Sequence, residues 1–161
     1  MLVKNGLIVE DNWVAVADDA AIPDDRPAIV PLDRWRRERA AFEDRNAPLG
    51  VRLASDDTLD DIADVLHGID LIALEFPAFT DGRSYSTARL LRERHGYTGE
   101  LRAVGQILRD QVQFMARCGF DSFELPDDAG AEDWAAGQSD IAVFYQPAAD
   151  ARPAAAALRQ R

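Results

Sequence analysis

Two short segments of the sequence carry side chains of the kind that hold anions or move protons. Asp81 and Arg83 lie in the segment Phe76–Ser86, and Arg109 and Asp110 lie further along the chain. A guanidinium holds carboxylate, phosphate or sulfur oxyanions through parallel hydrogen bonds, and a carboxylate can serve as a general base. These residues predict an anion clamp or a surface that recognises an acidic partner.

Further polar residues surround the two segments. Asp81 or Ser84 can cap the helix that follows, and Gly82 permits a tight turn. An ordinary capped turn with an exposed basic helix explains the same pattern, so both interpretations stay open. The candidates for a general base are Asp81 and Asp110, and the candidates for binding a ligand or partner are Asp81, Arg83, Tyr85, Arg89, Arg102, Gln106 and Arg109.

The charge of the chain is unevenly distributed. The formal net charge is −11, yet residues 80–120 contain seven arginines and four acids, and 17 of the 18 basic residues are arginine. An acidic protein is repelled by nucleic acid and by anionic membranes, so we expect neither as a partner. The local excess of arginine fits anion recognition, although solvent-exposed ion pairs or a codon preference for arginine would give the same pattern.

The elements that must position these residues alternate regularly after Gly50. Continuous apolar runs such as Leu71–Leu74 predict strands covered on both faces, and residues 59–66 repeat apolar side chains at helical spacing. This alternation predicts an α/β fold of sequential βα units with a mainly parallel sheet, either open and doubly wound or curved like a half-barrel. The predicted strands are 51–54, 71–76, 101–104, 122–125 and 141–145, and the predicted helices are 59–67, 85–95, 107–118 and 132–136.

Parallel neighbouring strands would bring the two polar segments together. Each segment follows the carboxyl end of a predicted strand, where parallel α/β folds place their ligands. If the strands 71–76 and 101–104 are adjacent, then Arg83, Gln106 and Arg109 are expected to converge on one anionic group or one partner surface. A solvated helix face is the alternative for Arg109 and Asp110.

The flanking regions predict smaller elements. Two apolar runs within residues 7–16 indicate a small N-terminal β-hairpin, residues 28–30 a strand, and residues 34–44 an amphipathic helix capped by Asp33. We expect one domain over residues 1–146 and a disordered tail over 147–161, which is rich in alanine, proline and arginine.

Several classes of function lack support in the sequence. The single cysteine, Cys118, allows neither an internal disulfide nor a cysteine-ligated cluster, and its apolar neighbours predict a buried residue. His67 and His95 each precede a glycine, which predicts helix ends rather than catalysis or a metal site. No nucleotide, phosphate-loop or nucleophile motif is present, and no stretch has the roughly 20 apolar residues of a membrane helix. We therefore expect a cytoplasmic protein without a metal or cofactor.

The chain resembles a known bacterial family. The motifs that carry the resemblance lie between about Pro31 and Leu125, and they are Phe76-Pro-Ala-Phe-Thr-Asp-Gly-Arg-Ser-Tyr-Ser86, Ala88-Arg-Leu-Leu-Arg92, Gly99-Glu-Leu-Arg-Ala-Val-Gly105, Leu108-Arg-Asp-Gln111 and Arg117-Cys-Gly-Phe-Asp121. Together they are similar to the bacterial domain-of-unknown-function family 934, described as probable oxidoreductases involved in sulfite reduction. The resemblance implies assimilatory sulfite reduction and a partner that is sulfite reductase or its electron donor.

Three functional hypotheses follow. The first is an accessory protein that docks on that partner through its arginine-rich rim. The second is an enzyme for a small anionic substrate, clamped by Arg83 and Arg109, oriented by Gln106 and acted on by Asp81 or Asp110 as base. The third is a structural subunit whose half-barrel is completed by dimerisation.

Overall fold

The computed structural model describes residues 1–42, 45–126, 130, 143–149 and 152–159. The described residues form one eight-stranded sheet in the order β2-β1-β8-β7-β6-β5-β4-β3. The pairs from β3 to β8 are parallel, whereas β1 pairs antiparallel with both β2 and β8. The strands are β1 Leu2–Lys4, β2 Leu7–Val9, β3 Val14–Ala15, β4 Ala28–Pro31, β5 Leu49–Leu53, β6 Leu71–Phe76, β7 Glu100–Gly105 and β8 Ser122–Glu124.

The helical elements are short and irregular. The α-helices are α1 Leu32–Phe42, α2 Arg83–Arg89, α3 Val112–Cys118 and α4 Ala155–Leu158. Three-residue 3₁₀ turns cover Leu59–Asp61, Leu66–Gly68 and Arg109–Gln111, and a π-helical segment covers Leu90–Arg94. None of the helices in the described ranges is long and apolar enough to cross a membrane.

The sheet is strongly curled. β2 and β3 are its two edges, yet Val9 and Val14 are only five residues apart in the chain. Five residues span at most about 18 Å, whereas seven strand spacings across a flat sheet would require about 34 Å. The connection can therefore be made only if the two edges approach each other. This confirms the α/β prediction and selects the half-barrel over the open sheet.

The two faces of the half-barrel are packed differently. On the convex face, helices and turns bury a large core that includes Val30, Leu74, Leu91 and Met115. The concave face carries a smaller apolar group, Ile29, Leu71, Ala73 and Val104, with Trp13 packed against it. Residues 10–13, here called the strap, join the two sheet edges and place Trp13 on this face.

A cluster of charged residues fixes the strap to the concave face. Arg102 is 1% exposed; its Nη1 donates to Asp11 Oδ2 at 2.8 Å, and its Nε and Nη2 donate to Glu100 Oε1 at 3.1 and 3.0 Å. Glu100 also accepts from Lys4 and from Ser122 Oγ, the latter at 2.6 Å. Burial alone would raise the pKa of Glu100, but the hydrogen bonds from Lys4 and Ser122 and the adjacent guanidinium lower it overall. In this group of residues, here called the concave cluster, each buried charge is thus paired with an opposite charge.

The N-terminal antiparallel pair is present, but in a different place from the one expected. β1 and β2 form the hairpin around Asn5 and Gly6, whose φ angles are 51° and 79°. Residues 14 and 15, expected to be the second strand of a hairpin within 7–16, instead pair in parallel with β4 at the other sheet edge. The two-residue Asn-Gly turn matches the twist of a hairpin and decides the pairing.

Three predicted helices also need correction. Residues 59–67 form two 3₁₀ turns instead of one helix. The helix expected over 85–95 passes into the π-helical segment after Arg89. The helix expected from residue 107 starts as a 3₁₀ turn at Arg109. Helix α1 begins at Leu32, so Asp33 lies inside it instead of capping it. The prediction that Cys118 is buried is confirmed.

The C-terminal predictions can be compared only in part. The helix expected over 132–136 and residues 141 and 142 of the expected strand lie outside the described residues. Phe144 forms an isolated bridge with Ala154, Arg117 Nη2 donates to the Gln146 carbonyl at 2.6 Å, and the Ala149 amide donates to the Arg117 carbonyl at 3.1 Å. This part of the chain therefore contacts α3.

Candidate functional site

The two polar loops, which were expected to meet only if their strands are adjacent, lie side by side. β6 and β7 are parallel neighbours with Phe76 opposite Gly105, and the Gln106 amide donates to the Phe76 carbonyl at 2.8 Å. Gly105 has a φ of +92°, and a Cβ atom there would stand 2.5 Å from that carbonyl oxygen. Glycine is therefore required where the two loops leave the sheet.

The side chain of Gln111 joins the two loops. Its Nε2 donates to the Phe79 carbonyl at 2.8 Å, and its Oε1 accepts from the Leu108 amide at 3.0 Å. One amide group thus satisfies a backbone acceptor in the first loop and a donor in the second. The surface formed by the two loops is here called the rim, and it comprises Phe79, Asp81, Arg83, Gln106, Leu108, Arg109 and Asp110.

Arg83 and Asp81 form a local ion pair on the rim. Arg83 donates from Nη2 to Asp81 Oδ2 at 2.7 Å and from its backbone amide to Asp81 Oδ1 at 3.1 Å. The Arg83 side chain remains 57% exposed. These hydrogen bonds hold the pKa of Asp81 well below its usual range. A carboxylate with so low a proton affinity is a poor general base, which disfavours that role for Asp81.

The rim exposes large apolar side chains beside its charges. Phe79 is 50% exposed and Leu108 is 42% exposed. Gln106, Arg109 and Asp110 are exposed as well. Sequence reasoning missed Phe79, Leu108 and Gln111. For Phe79 and Leu108 a signal was present, because each is a large apolar residue in a loop that also carries charged residues, whereas no pattern marks Gln111.

The ring of Tyr85 connects the interior to the surface. Its centroid lies 5.2 Å from that of buried Phe76 and 5.1 Å from that of Phe114, which is 58% exposed. Burial raises the pKa of the Tyr85 phenol. Tyr85 is therefore a packing residue next to the rim, and it supplies no acid or base near neutral pH.

Two of the predicted binding residues form ion pairs outside the rim. Arg89 is exposed and pairs with Glu93 on the next turn, at 2.8 Å from Nη2. Arg102 lies in the concave cluster, buried between Glu100 and Asp11, so its inclusion in the rim is corrected. In β7 side chains alternate between faces, and Arg102 takes the face opposite to Leu101 and Ala103.

Comparison with known proteins assigns the chain to a family. Residues 50–155 match the model described as "Bacterial protein of unknown function (DUF934)". The chain belongs to this family. The matched range includes both loops of the rim and the strands before them. A search of curated proteins found no match.

Proposed function

We propose that this protein is a non-catalytic accessory protein of assimilatory sulfite reduction that docks on sulfite reductase or on its electron donor through the rim. The pathway in this proposal rests on the family resemblance given above. The docking role rests on one observation: Gln111 joins two neighbouring loops that expose Phe79 and Leu108 together with Arg83 and Arg109.

Such a composition suits protein recognition. Exposed apolar side chains beside arginine are characteristic of interface centres, where aromatic residues and arginine contribute most of the binding energy. The chain's overall charge of −11 would repel an acidic partner, so the local arginines supply the attraction and set the orientation.

The same surface is less suited to catalysis on a small anion. Arg83 is paired with Asp81, and the pKa of Asp81 is lowered by that pairing. The side chain of Arg83 is 57% exposed to solvent, whereas charge stabilisation in catalysis is strongest in a site that excludes water. If the protein were instead an enzyme, substitutions of these rim residues should lower turnover without weakening association with a partner protein.

The docking surface can be tested by reversing its charge. We expect Arg83→Glu combined with Arg109→Glu to weaken binding to holo sulfite reductase or its donor by about 10–100-fold, since each removes an attraction and adds a repulsion. Calorimetry with the purified proteins measures this. Arg36→Glu, on α1 outside the rim, is the control and should bind as the wild type does. Unchanged binding of the double variant would refute the rim as docking surface.

The assignment to the pathway needs a separate experiment in the cell. A strain lacking the gene should fail to grow on sulfate or sulfite as sole sulfur source and should grow on sulfide. Complementation by wild type should restore growth, and complementation by the double variant should not. Equal growth on all sulfur sources would refute the role in sulfite reduction.

A homodimeric structural subunit is the second candidate function, and the sheet edge favours it. Strand β2 pairs on one side with β1, and its Leu7 and Ile8 are 68% and 49% exposed. Exposed apolar edge strands tend to pair with another strand. If a dimer forms there, Ile8→Lys should convert it to a monomer in light scattering coupled to size exclusion. A wild type that is monomeric at all concentrations would refute it.

A further inference from the structure

A groove lies between helices α2 and α3, beside the rim. Tyr85, Ser86 and Arg89 line it on the side of α2, and Phe114 and Arg117 line it on the side of α3. Its volume is about 280 Å³, slightly below the roughly 300 Å³ at which pockets for small organic molecules begin. The groove is therefore better suited to one large side chain of a partner protein than to a free metabolite.

The aromatic surface of this groove is accessible and held in place. Phe114 is 58% exposed, and its ring lies 5.1 Å from that of Tyr85 at an interplanar angle of 53°. Tyr85 rests in turn on buried Phe76. Tilted and edge-to-face contacts are the arrangement that aromatic rings prefer, so a further ring can pack against the exposed side of Phe114. Exposed aromatic residues beside a pocket are characteristic of the centres of protein interfaces.

In the part of the chain that the structure describes, the charged residues that line the groove are both arginines. Arg89 is 53% exposed and donates to Glu93 Oε1 from Nε and Nη2. Its Nη1 has no acceptor among the described residues, so it can donate to a partner's carboxylate while the pair with Glu93 stays intact. Arg117 contacts the Gln146 carbonyl and the ring of Phe144, and it adds positive charge to the same surface.

The groove is continuous with the rim. The side chain of Gln111 joins the two rim loops, and Gln111 lies three residues before Phe114 at the start of α3. Residues at this spacing are neighbours on one face of a helix. A partner seated on the rim can therefore extend a segment along α3 into the groove.

We infer that the groove receives a segment of the partner protein in which one aromatic side chain is flanked by acidic residues. The aromatic ring packs on Phe114 and Tyr85, and a neighbouring carboxylate accepts from Arg89 Nη1. The chain's net charge of −11 repels such a segment elsewhere on the surface, which adds selectivity for the arginine-lined groove. The inference rests on the proposed function for the identity of the partner, and on the groove alone for the chemistry of the segment.

The test titrates the full-length protein with the peptide acetyl-Glu-Glu-Phe-Glu-Glu-amide, while heteronuclear NMR follows the assigned backbone amides. We expect saturable shifts that are largest in α2 and α3. Replacing the phenylalanine of the peptide by alanine, or its glutamates by lysine, should weaken binding at least about tenfold. The first change removes the ring, and the second reverses the charge.

Two exposed residues of the groove can be changed with matched controls. Phe114→Ser should weaken peptide binding about tenfold and Arg89→Gln several-fold, and both variants should keep the NMR spectrum of a folded protein. Leu7→Ser on β2 and Arg52→Gln on β5 change an exposed apolar residue and an exposed paired arginine away from the groove, and both should bind as the wild type does. The proposal is overturned if the peptide gives no saturable shift, if the lysine peptide binds equally well, or if Phe114→Ser binds as Leu7→Ser does.

Calorimetry with holo sulfite reductase or its donor keeps this inference distinct from the proposed function. If the groove takes part in docking, Phe114→Ser should lower the affinity at least about tenfold. If Arg83→Glu combined with Arg109→Glu abolishes binding while Phe114→Ser does not weaken it, the rim is the docking surface and the inference about the groove is wrong. If the wild type binds neither protein, the proposed function is wrong, and the peptide titration alone decides the groove.

Discussion

Replacing Arg102 by methionine is expected to lower the free energy of unfolding by about 3–5 kcal/mol, the range found when one partner of a buried ion pair is removed. Arg102 is 1% exposed and donates to both Glu100 and Asp11. Methionine keeps most of the apolar stem but leaves the carboxylate of Glu100, itself 9% exposed, with Lys4 as its remaining cation. The strap loses its ion pair with the sheet at the same time.

Chemical denaturation measures this loss, and the concave face supplies a matched control. Arg52 lies on β5, its side chain is 46% exposed, and its Nε is 3.8 Å from Glu75. Like Arg102→Met, Arg52→Met removes an arginine from an ion pair. It should lower the free energy of unfolding by less than about 1 kcal/mol, because exposed pairs contribute little. Equal losses for the two variants would show that burial of the cluster does not decide its contribution.

The acid limb of the stability curve gives a second readout of the same cluster. The pKa of Glu100 is lowered on folding, so its stabilising contribution is present above the unfolded pKa and disappears as the pH falls through the lower folded value. Without Arg102 one of the groups that lower this pKa is gone. The difference in stability between wild type and Arg102→Met should therefore shrink as the solution is acidified.

The parallel sheet and the position of the two polar loops after their strands could be predicted because their causes are local. Leu71–Leu74 is continuously apolar, and a segment with charged residues begins a few positions after the strand, at Thr80. Such a strand is covered on both faces, and alternation with helical patterns implies parallel neighbours whose carboxyl ends share one edge. That the two rim loops share one edge of the sheet follows from that alone, whereas their adjacency also requires β6 and β7 to be neighbours, which the alternation leaves open. The link made by Gln111 does not follow either, because it depends on the exact path of both loops.

The course of the N-terminal residues was mispredicted although a signal was available. Asn5-Gly6 is the preferred sequence of a two-residue hairpin turn, and it separates β1 from β2. The apolar runs on either side of residues 10–13 look like a second hairpin. These runs instead lie at opposite edges of the sheet. Their placement depends on the curvature of the whole sheet, which local sequence does not determine.

Residues 59–67 show what hydrophobic spacing leaves undetermined. Leu59, Ile62 and Leu66 are buried as the spacing predicts, but the backbone forms 3₁₀ turns. Spacing selects the face that is buried and leaves the hydrogen-bond pattern open. Asp60 and Asp64 are four positions apart, where like charges disfavour a helix, and aspartate is a weak helix former, so both features weigh against a regular helix.

No sequence pattern identifies the ion-pair partner of Arg102. Alternation along β7 places Arg102 opposite Leu101 and Ala103, so its position on the concave face could have been inferred. The pairing with Asp11, 91 residues earlier in the chain, could not, because it depends on the strap crossing the half-barrel. An arginine in a strand therefore cannot be assigned to a binding surface until its carboxylate partners are known.

Arg92 lies in the π-helical segment and connects it to the neighbouring strands. The His95 amide donates to the Leu90 carbonyl at 3.1 Å, five residues back, which is the hydrogen bond of a π-helical turn. Arg92 Nε donates to the Gly119 carbonyl at 3.0 Å, and Nη1 donates to the carbonyls of Gly99 and Tyr97. Its side chain is 16% exposed.

We expect Arg92→Met to lower the free energy of unfolding by about 2–4 kcal/mol, since three carbonyls lose a charged donor and Asp121 loses its cation. Asp121 also accepts from the Leu101 amide at 2.8 Å, so the contacts of Arg92 connect the π-helical segment to β7 and to the turn before β8. The control is Arg89→Met, three residues before Arg92, which removes an exposed ion pair with Glu93. It should lower the free energy of unfolding by less than about 1 kcal/mol. Denaturant unfolding of both variants measures the difference. A cost below about 1 kcal/mol for Arg92→Met would mean that backbone pairing of β7 and β8 suffices without the contacts of Arg92.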